Sequence, residues 1–281
     1  MINLLRLPVA LVWLLASVPV IAKDAFQIPR SEVIELEDLS SKRTYPAFIK
    51  LPKSYQSDAD KHYPVIYLTD GAYSFQIASG VTRFPMNSGQ MDEAILVALS
   101  YSKGSKGAES RIRDYTPFKA ADWKRETGDA KRHAEFIKNV LIPYVEGNYR
   151  TNPNRRTFVG NSLGGLFGAY ILFSQPELFS SYVLGSPSVW FNKNQILSSK
   201  AEKPDVPVKV YLSVGSRETP EFGLNNDMIK GAGRLTDKIK SELGNKVSLQ
   251  FRVIEGATHA TAFPTTLIQG LDWIYGIPQT N

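Results

Sequence analysis

The chain of 281 residues is 43% hydrophobic and 21% charged, with a formal net charge of +6, which is enough apolar sequence for a sizeable core in one large domain or two small ones. With no cysteine it can build no disulfide framework, thiol nucleophile or cysteine metal site, and its three separated histidines form no His-Glu-x-x-His pattern, so neither metal nor cofactor is expected. Lys and Arg are interspersed with acidic residues rather than gathered on one arm, which argues against nucleic acid as a partner, while the modest positive balance hints at anionic substrates.

At the N-terminus Arg6 precedes an apolar run from Leu7 to Ala22, closed by Val20-Ile-Ala22 before the polar Lys23-Asp24. Small residues there suit signal-peptidase cleavage after Ala22. As a membrane anchor the run is short of the ~20 apolar residues a spanning helix needs, and Pro8 and Pro19 interrupt it. The reading is a signal peptide over residues 1–22 and a single domain over 23–281, located in the bacterial periplasm or secreted, with no stable membrane insertion after cleavage.

Val33-Ile-Glu-Leu36 and the proline-punctuated Tyr45–Pro52 segment predict two antiparallel edge strands. Strands are then predicted near 64–70, 94–101, 155–160, 181–186, 207–214 and 247–254, separated by helical or loop segments. That rhythm indicates a mainly parallel α/β sheet with helices on both faces.

Beyond the first of these strands, Gly71-Ala72-Tyr73 opens a loop at a strand's C-terminal end, where open α/β sheets bind ligands. After the second, Gly104-Ser-Lys-Gly107 lacks the phosphate-loop pattern, and Arg111-Ile-Arg113-Asp-Tyr-Thr-Pro117 leads to Trp123. Arg111 and Arg113 either form an ion-pair network with the neighbouring Asp114 or face a cleft and hold an acidic or catechol group by forked hydrogen bonds. Phe136, Ile137, Val140, Leu141, Tyr144 and Val145 share one face of a helix near 131–149, which leaves His133 exposed at its start; His62, just before a strand, is read as exposed too.

Thr157-Phe-Val-Gly160-Asn-Ser162-Leu-Gly164 is an apolar strand meeting a small-residue helix through Gly-x-Ser-x-Gly. In a nucleophile elbow this turn presents the serine hydroxyl at the top of a parallel sheet, and side chains at the two glycines would block the close strand–helix approach. A serine nucleophile needs a base, and in the order Ser, acid, His only His259 follows Ser162. The acid should follow the preceding strand at Gly215-Ser-Arg-Glu218; Glu218 is the choice, with Glu221 and Asp227 as alternatives. An oxyanion hole would take one backbone N–H from Leu163 and another from Ala72 or Tyr73. Trp190, in Ser186-Pro-Ser-Val-Trp190-Phe, either lines a pocket or packs in the core. Gly231-Ala-Gly233 follows polar sequence rather than a strand and is no dinucleotide fingerprint.

Together these segments resemble the putative-esterase family of α/β-hydrolases, which includes siderophore esterases of the enterobactin type, feruloyl and acetyl-xylan esterases and mycolyltransferases. The matching runs are Tyr67-Leu-Thr-Asp-Gly71, Arg111–Pro117, Leu141-Ile-Pro-Tyr-Val-Glu146, Gly160–Gly165, Ser186–Phe191, Gly215–Glu218 and His259, spread over nearly the whole mature chain. The resemblance implies an α/β-hydrolase fold with nucleophile Ser162, acid Glu218 and base His259. Two departures stand out: Asn161 where His or an aromatic is frequent, and Glu218 where many members carry aspartate. Some siderophore esterases resemble Ser-His dyads, which leaves the need for the acid open. The expected activity is hydrolysis of a carboxylic ester through an acyl-enzyme, with a catecholate-siderophore trilactone, an aryl ester or a carbohydrate ester as the small-molecule substrate. The rival is a non-catalytic ligand-binding protein on the same scaffold.

Overall fold

The computed structural model describes residues 25–278. Its strands are β1 (Ser31–Asp38), β2 (Arg43–Lys50), β3 (Tyr63–Leu68), β4 (Ile95–Leu99), β5 (Thr151–Asn161), β6 (Ser181–Gly185), β7 (Val208–Gly215) and β8 (Val247–Ile254). They form one sheet in the order β1-β2-β4-β3-β5-β6-β7-β8. From β4 to β8 every neighbouring pair is parallel, whereas β1 and β2 are antiparallel additions. The inner strands β3 and β4 are buried along their whole length, as continuous apolar runs covered on both faces should be. Their alternation divides the core: Val65 and Tyr67 pack on one side of the sheet, Ile66 and Leu68 on the other.

The helices are α1 (Gly71–Asn87), α2 (Gly107–Tyr115), α3 (Ala130–Phe136), α4 (Ile142–Asn148), α5 (Leu163–Ser174), the one-turn α6 (Phe191–Asn194), α7 (Met228–Leu243) and α8 (Ala262–Tyr275). Helices α1 and α8 cover one face, while α2 to α5 and α7 cover the other. Helix α5 is apolar all round and almost wholly buried, the signature of a helix enclosed by other elements. A side chain at Gly168 would meet Phe158 and Leu184 at 2.5 Å, so glycine there sets how near α5 lies to the sheet.

Three expectations need correction. Strand β2 is not an edge strand, because it lies between β1 and β4. Its Pro46 is tolerated because its pairing with β4 begins only at Ala47↔Leu99, so no strand partner stands opposite the missing N–H. The helix near 131–149 is not regular: a π-turn over Ile137–Leu141 joins α3 to α4, closed by the Ile142 N–H bonding to the Ile137 carbonyl. Pro143 cannot donate to the preceding turn, and the wider turn accommodates it. Finally, His133 is not exposed. It is 1% accessible and packs among Tyr45, Tyr115, Phe136 and Phe167. Among the described residues neither ring nitrogen has a hydrogen-bond partner, and burial pushes its pKa down to about 4, so the ring is a neutral part of the core. His62 is exposed, as expected.

Candidate active site

Ser162 stands between the end of β5 and the start of α5, at φ 59° and ψ −115°. Such backbone is sparsely populated for a residue with a side chain and costs about 1–3 kcal/mol, which the surrounding structure must offset. The two glycines have the steric role expected of them. A Cβ at Gly160 would lie 2.2 Å from the Gly164 carbonyl oxygen, and one at Gly164 would lie 2.4 Å from Thr69 Oγ1. The turn is pinned from β6 as well: the Ser162 N–H donates to the Gly185 carbonyl at 2.8 Å, and its carbonyl accepts from Ser188 N–H at 3.0 Å.

His259, on the loop after β8, places Nε2 3.0 Å from Ser162 Oγ and Nδ1 2.6 Å from Glu218 Oε2. Glu218, on the turn after β7, has no accessible surface. Its other oxygen accepts from Ser186 Oγ at 2.6 Å and from the Gly215 N–H at 2.7 Å. Burial pushes the Glu218 carboxyl up, but the hydrogen bonds from His259, Ser186 and Gly215 outweigh it and hold the group below its ordinary range, hence ionised. The alternatives for the acid lie elsewhere: Glu221 is exposed on a short turn, and Asp227 caps α7 by accepting the Lys230 N–H.

The N–H groups of Leu163 and Ala72 belong to the first turns of α5 and α1, so neither has an intrahelical acceptor. Among the described residues none is supplied from elsewhere. Tyr73 differs: Asp70 adopts the left-handed conformation, φ 56°, and starts α1 so that the Tyr73 N–H donates to the Asp70 carbonyl at 2.8 Å. Of the two, only the Ala72 N–H is left without an acceptor among the described residues.

The two arginines separate. Arg111 donates from Nε to Asp70 Oδ1 at 2.8 Å and from Nη2 to the Asn161 carbonyl at 3.0 Å, beside Ser162. Arg113 does not face the cleft. It is buried in a fork on Asp114, with both contacts at 2.9 Å, and reaches Ser102 and Ser110. Arg132 and Tyr45 complete the shell around Asp114, so the Arg113–Asp114 pair ties α2 to β2 and α3 and Arg113 is not free to bind substrate. Trp190 is half-buried and stacks on Trp123, ring centroids 6.2 Å apart and planes at 17°. The pair lines a cavity of about 580 Å³ with Pro187, Val189, Lys193 and Lys230. Pro187 and Val189 bracket Ser188, whose Oγ is 3.2 Å from Ser162 Oγ; neither serine itself lines the cavity.

Sequence reasoning missed Ser186, Ser188, and Asp70 with its partner Tyr101, which donates to Asp70 Oδ1 at 2.9 Å. Each sits within or just beyond a strand end already singled out, and that position was the available signal. Ser186 adopts φ 39°, the kind of backbone a functional turn imposes.

A parallel sheet with a serine–histidine–carboxylate chain at the C-terminal ends of its strands defines an α/β-hydrolase-type enzyme. The chain belongs to the family described as "Putative esterase", whose model matches residues 40–274, and it is a carboxylic ester hydrolase. It is 29% identical over 268 residues, 88% of its length and 90% of the relative's, to the ferri-bacillibactin esterase BesA of Bacillus subtilis. The structure of the BES protein from Bacillus cereus superimposes with a TM-score of 0.78 at 28% identity, over 92% of this chain and 99% of that one. The siderophore hydrolase EstB from Aspergillus nidulans shares the fold with the same TM-score of 0.78 at 23% identity, covering 92% of this chain and all (100%) of its own.

Proposed function

We propose that the protein is a serine esterase that opens the ester bonds of a catecholate-siderophore trilactone, acting in the periplasm or outside the cell after loss of residues 1–22. The observation carrying the reaction is the unbroken chain Ser162–His259–Glu218, with links of 3.0 and 2.6 Å. His259 Nε2 takes the Ser162 proton as Oγ attacks the ester carbonyl, while Glu218 holds Nδ1–H and stabilises the imidazolium that forms. The N–H groups of Leu163 and Ala72 receive the oxyanion. Collapse breaks the bond to the alcohol oxygen, which takes the proton from His259, and water enters by the same steps in reverse to free the acid from Ser162.

The substrate class is supported by the cavity whose wall includes Pro187 and Val189, on either side of Ser188. The stacked Trp123 and Trp190 offer flat apolar surface to aromatic rings, and Lys193, Lys230 and Arg234 outnumber Asp122 and Asp227 on its wall, a small positive excess that suits an anionic ligand. The name of the Bacillus subtilis relative points the same way. The test is mass-spectrometric hydrolysis of a ferric and an iron-free tricatecholate trilactone beside a p-nitrophenyl ester series, with wild type and Ser162→Ala. Trilactone opening that depends on Ser162 is expected. Turnover of simple esters alone would overturn the substrate and leave an aryl or carbohydrate esterase. No fluorophosphonate labelling at Ser162 would favour a binding protein.

A further inference from the structure

On the sheet face covered by α1 lies a second cavity, of about 470 Å³. Its wall carries Arg30, Lys50, Lys53 and Arg83 and, among the described residues, no acidic residue. Among the described residues none of these four cations takes part in an ion pair. Lys50, the last residue of β2, is 8% accessible, and its ammonium makes one hydrogen bond among the described residues, to the Ser79 carbonyl at 3.2 Å. An ammonium has three donors, and a buried cation without a counter-charge is costly. Burial, then the charges of Arg30 and Arg83, lower the Lys50 pKa to about 8.

Gly80 is the independent clue. It lies inside α1, where glycine costs about 1 kcal/mol relative to alanine, yet a Cβ there would meet nothing within 4 Å. Among the described residues no packing requires glycine at this position, and Gly80 lines the cavity. The opposite wall is apolar, with Ile28 and an 89% exposed Phe26.

We propose that this cavity binds a phosphate-type oxyanion carried on an apolar body, the head group between Lys50, Arg30 and Arg83 and the apolar part against Phe26 and Ile28. The site is separate from the esterase centre: from Gly71 to Gly80 the helix advances roughly 14 Å.

The test is titration calorimetry with inorganic phosphate and hexyl phosphate, together with co-sedimentation on phosphatidylcholine vesicles with and without phosphatidylglycerol. Wild type, Lys50→Met and Gly80→Gln would be compared, with thermal melts checking that each variant is folded. Hexyl phosphate is expected to bind at least tenfold more tightly than inorganic phosphate. Both variants should lose at least tenfold in affinity while turnover of a p-nitrophenyl ester stays unchanged. Binding to phosphatidylglycerol vesicles that both variants lose would support the site with a lipid surface as the source; binding of hexyl phosphate alone would support it with a free phosphate ester. Absence of saturable binding by all probes overturns the proposal. So does undiminished binding in Gly80→Gln, which adds a side chain to the cavity lining and leaves every cation in place.

Discussion

Arg111 clasps Asp70 across the gap between two strand ends, Nε to Oδ1 at 2.8 Å, and with its other arm holds the Asn161 carbonyl at 3.0 Å. Asp70 begins the helix that presents Ala72 N–H, and Asn161 precedes the serine whose helix presents Leu163 N–H. One guanidinium thus sets the spacing of the two proposed oxyanion donors. Tyr101 on Asp70 Oδ1 and Tyr115 on the Asp70 N–H hold the anchor in place.

We predict that Arg111→Lys, which keeps the charge but loses the fork, lowers kcat by about 10- to 100-fold with KM changed less than threefold, as expected when donors shift by a fraction of an ångström. Steady-state kinetics on a nitrophenyl ester, alongside thermal melts, decide it. A large rise in KM with kcat intact would return Arg111 to substrate binding.

For the triad, Ser162→Ala and His259→Ala should each reduce kcat by about four to six orders of magnitude. Glu218→Gln should cost about 10³- to 10⁴-fold, since an amide facing Nδ1 favours the wrong tautomer. The full burial of Glu218 makes its role testable, because no water can replace it on His259. A Glu218→Gln variant within tenfold of wild type would mean that the site works as a Ser162–His259 dyad.

What was legible in the chain follows from the range of each physical cause. Strand positions and the elbow were readable because apolar periodicity and glycine sterics are local: Thr157-Phe-Val and Gly160-x-Ser-x-Gly164 each carry their reason within a few residues. His259 was found by elimination, and Glu218 by strand order. The roles of Ser186 and Asp70 were not readable, because they depend on which strand ends the sheet brings together. Arg111 and Arg113 are two positions apart on a short helix and point in different directions, one to the strand ends and one into the shell around Asp114. His133 was misplaced because the apolar face was drawn from Phe136 onward, and the aromatic cage around it comes from β2, α2 and α5.

Glycines at the end of a strand and in a helix should respond in opposite ways. Gly160→Ala puts a Cβ 2.2 Å from a backbone oxygen of the elbow, so at least about 3 kcal/mol of stability should be lost. Gly147, exposed in α4 with nothing within 4 Å of its Cβ position, should gain about 0.5–1 kcal/mol as alanine. Urea denaturation of both variants checks the pair, and equal effects would contradict the steric account of the elbow.

The last prediction concerns acid. His133 has a pKa of about 4 in the folded protein against the ordinary 6.5, so between those values the unfolded chain binds a proton that the folded chain refuses. Its share of stability is therefore complete above about pH 6.5 and is lost as the pH falls towards 4. Asp114 raises the value and Arg132 lowers it, but burial is the largest influence. Asp114 and Glu218 have carboxyls held below their ordinary range, so their own losses begin only further into acid. Between pH 7.5 and 5.0 the His133 contribution is on the order of 2 kcal/mol, at about 1.4 kcal/mol for each pH unit below the unfolded value. Denaturant titrations at those two pH values should show that loss in wild type and most of it abolished in His133→Phe, which keeps an aromatic ring in the cage. An equal pH slope in both proteins would mean that the buried imidazole is not what makes the fold acid-sensitive in this range.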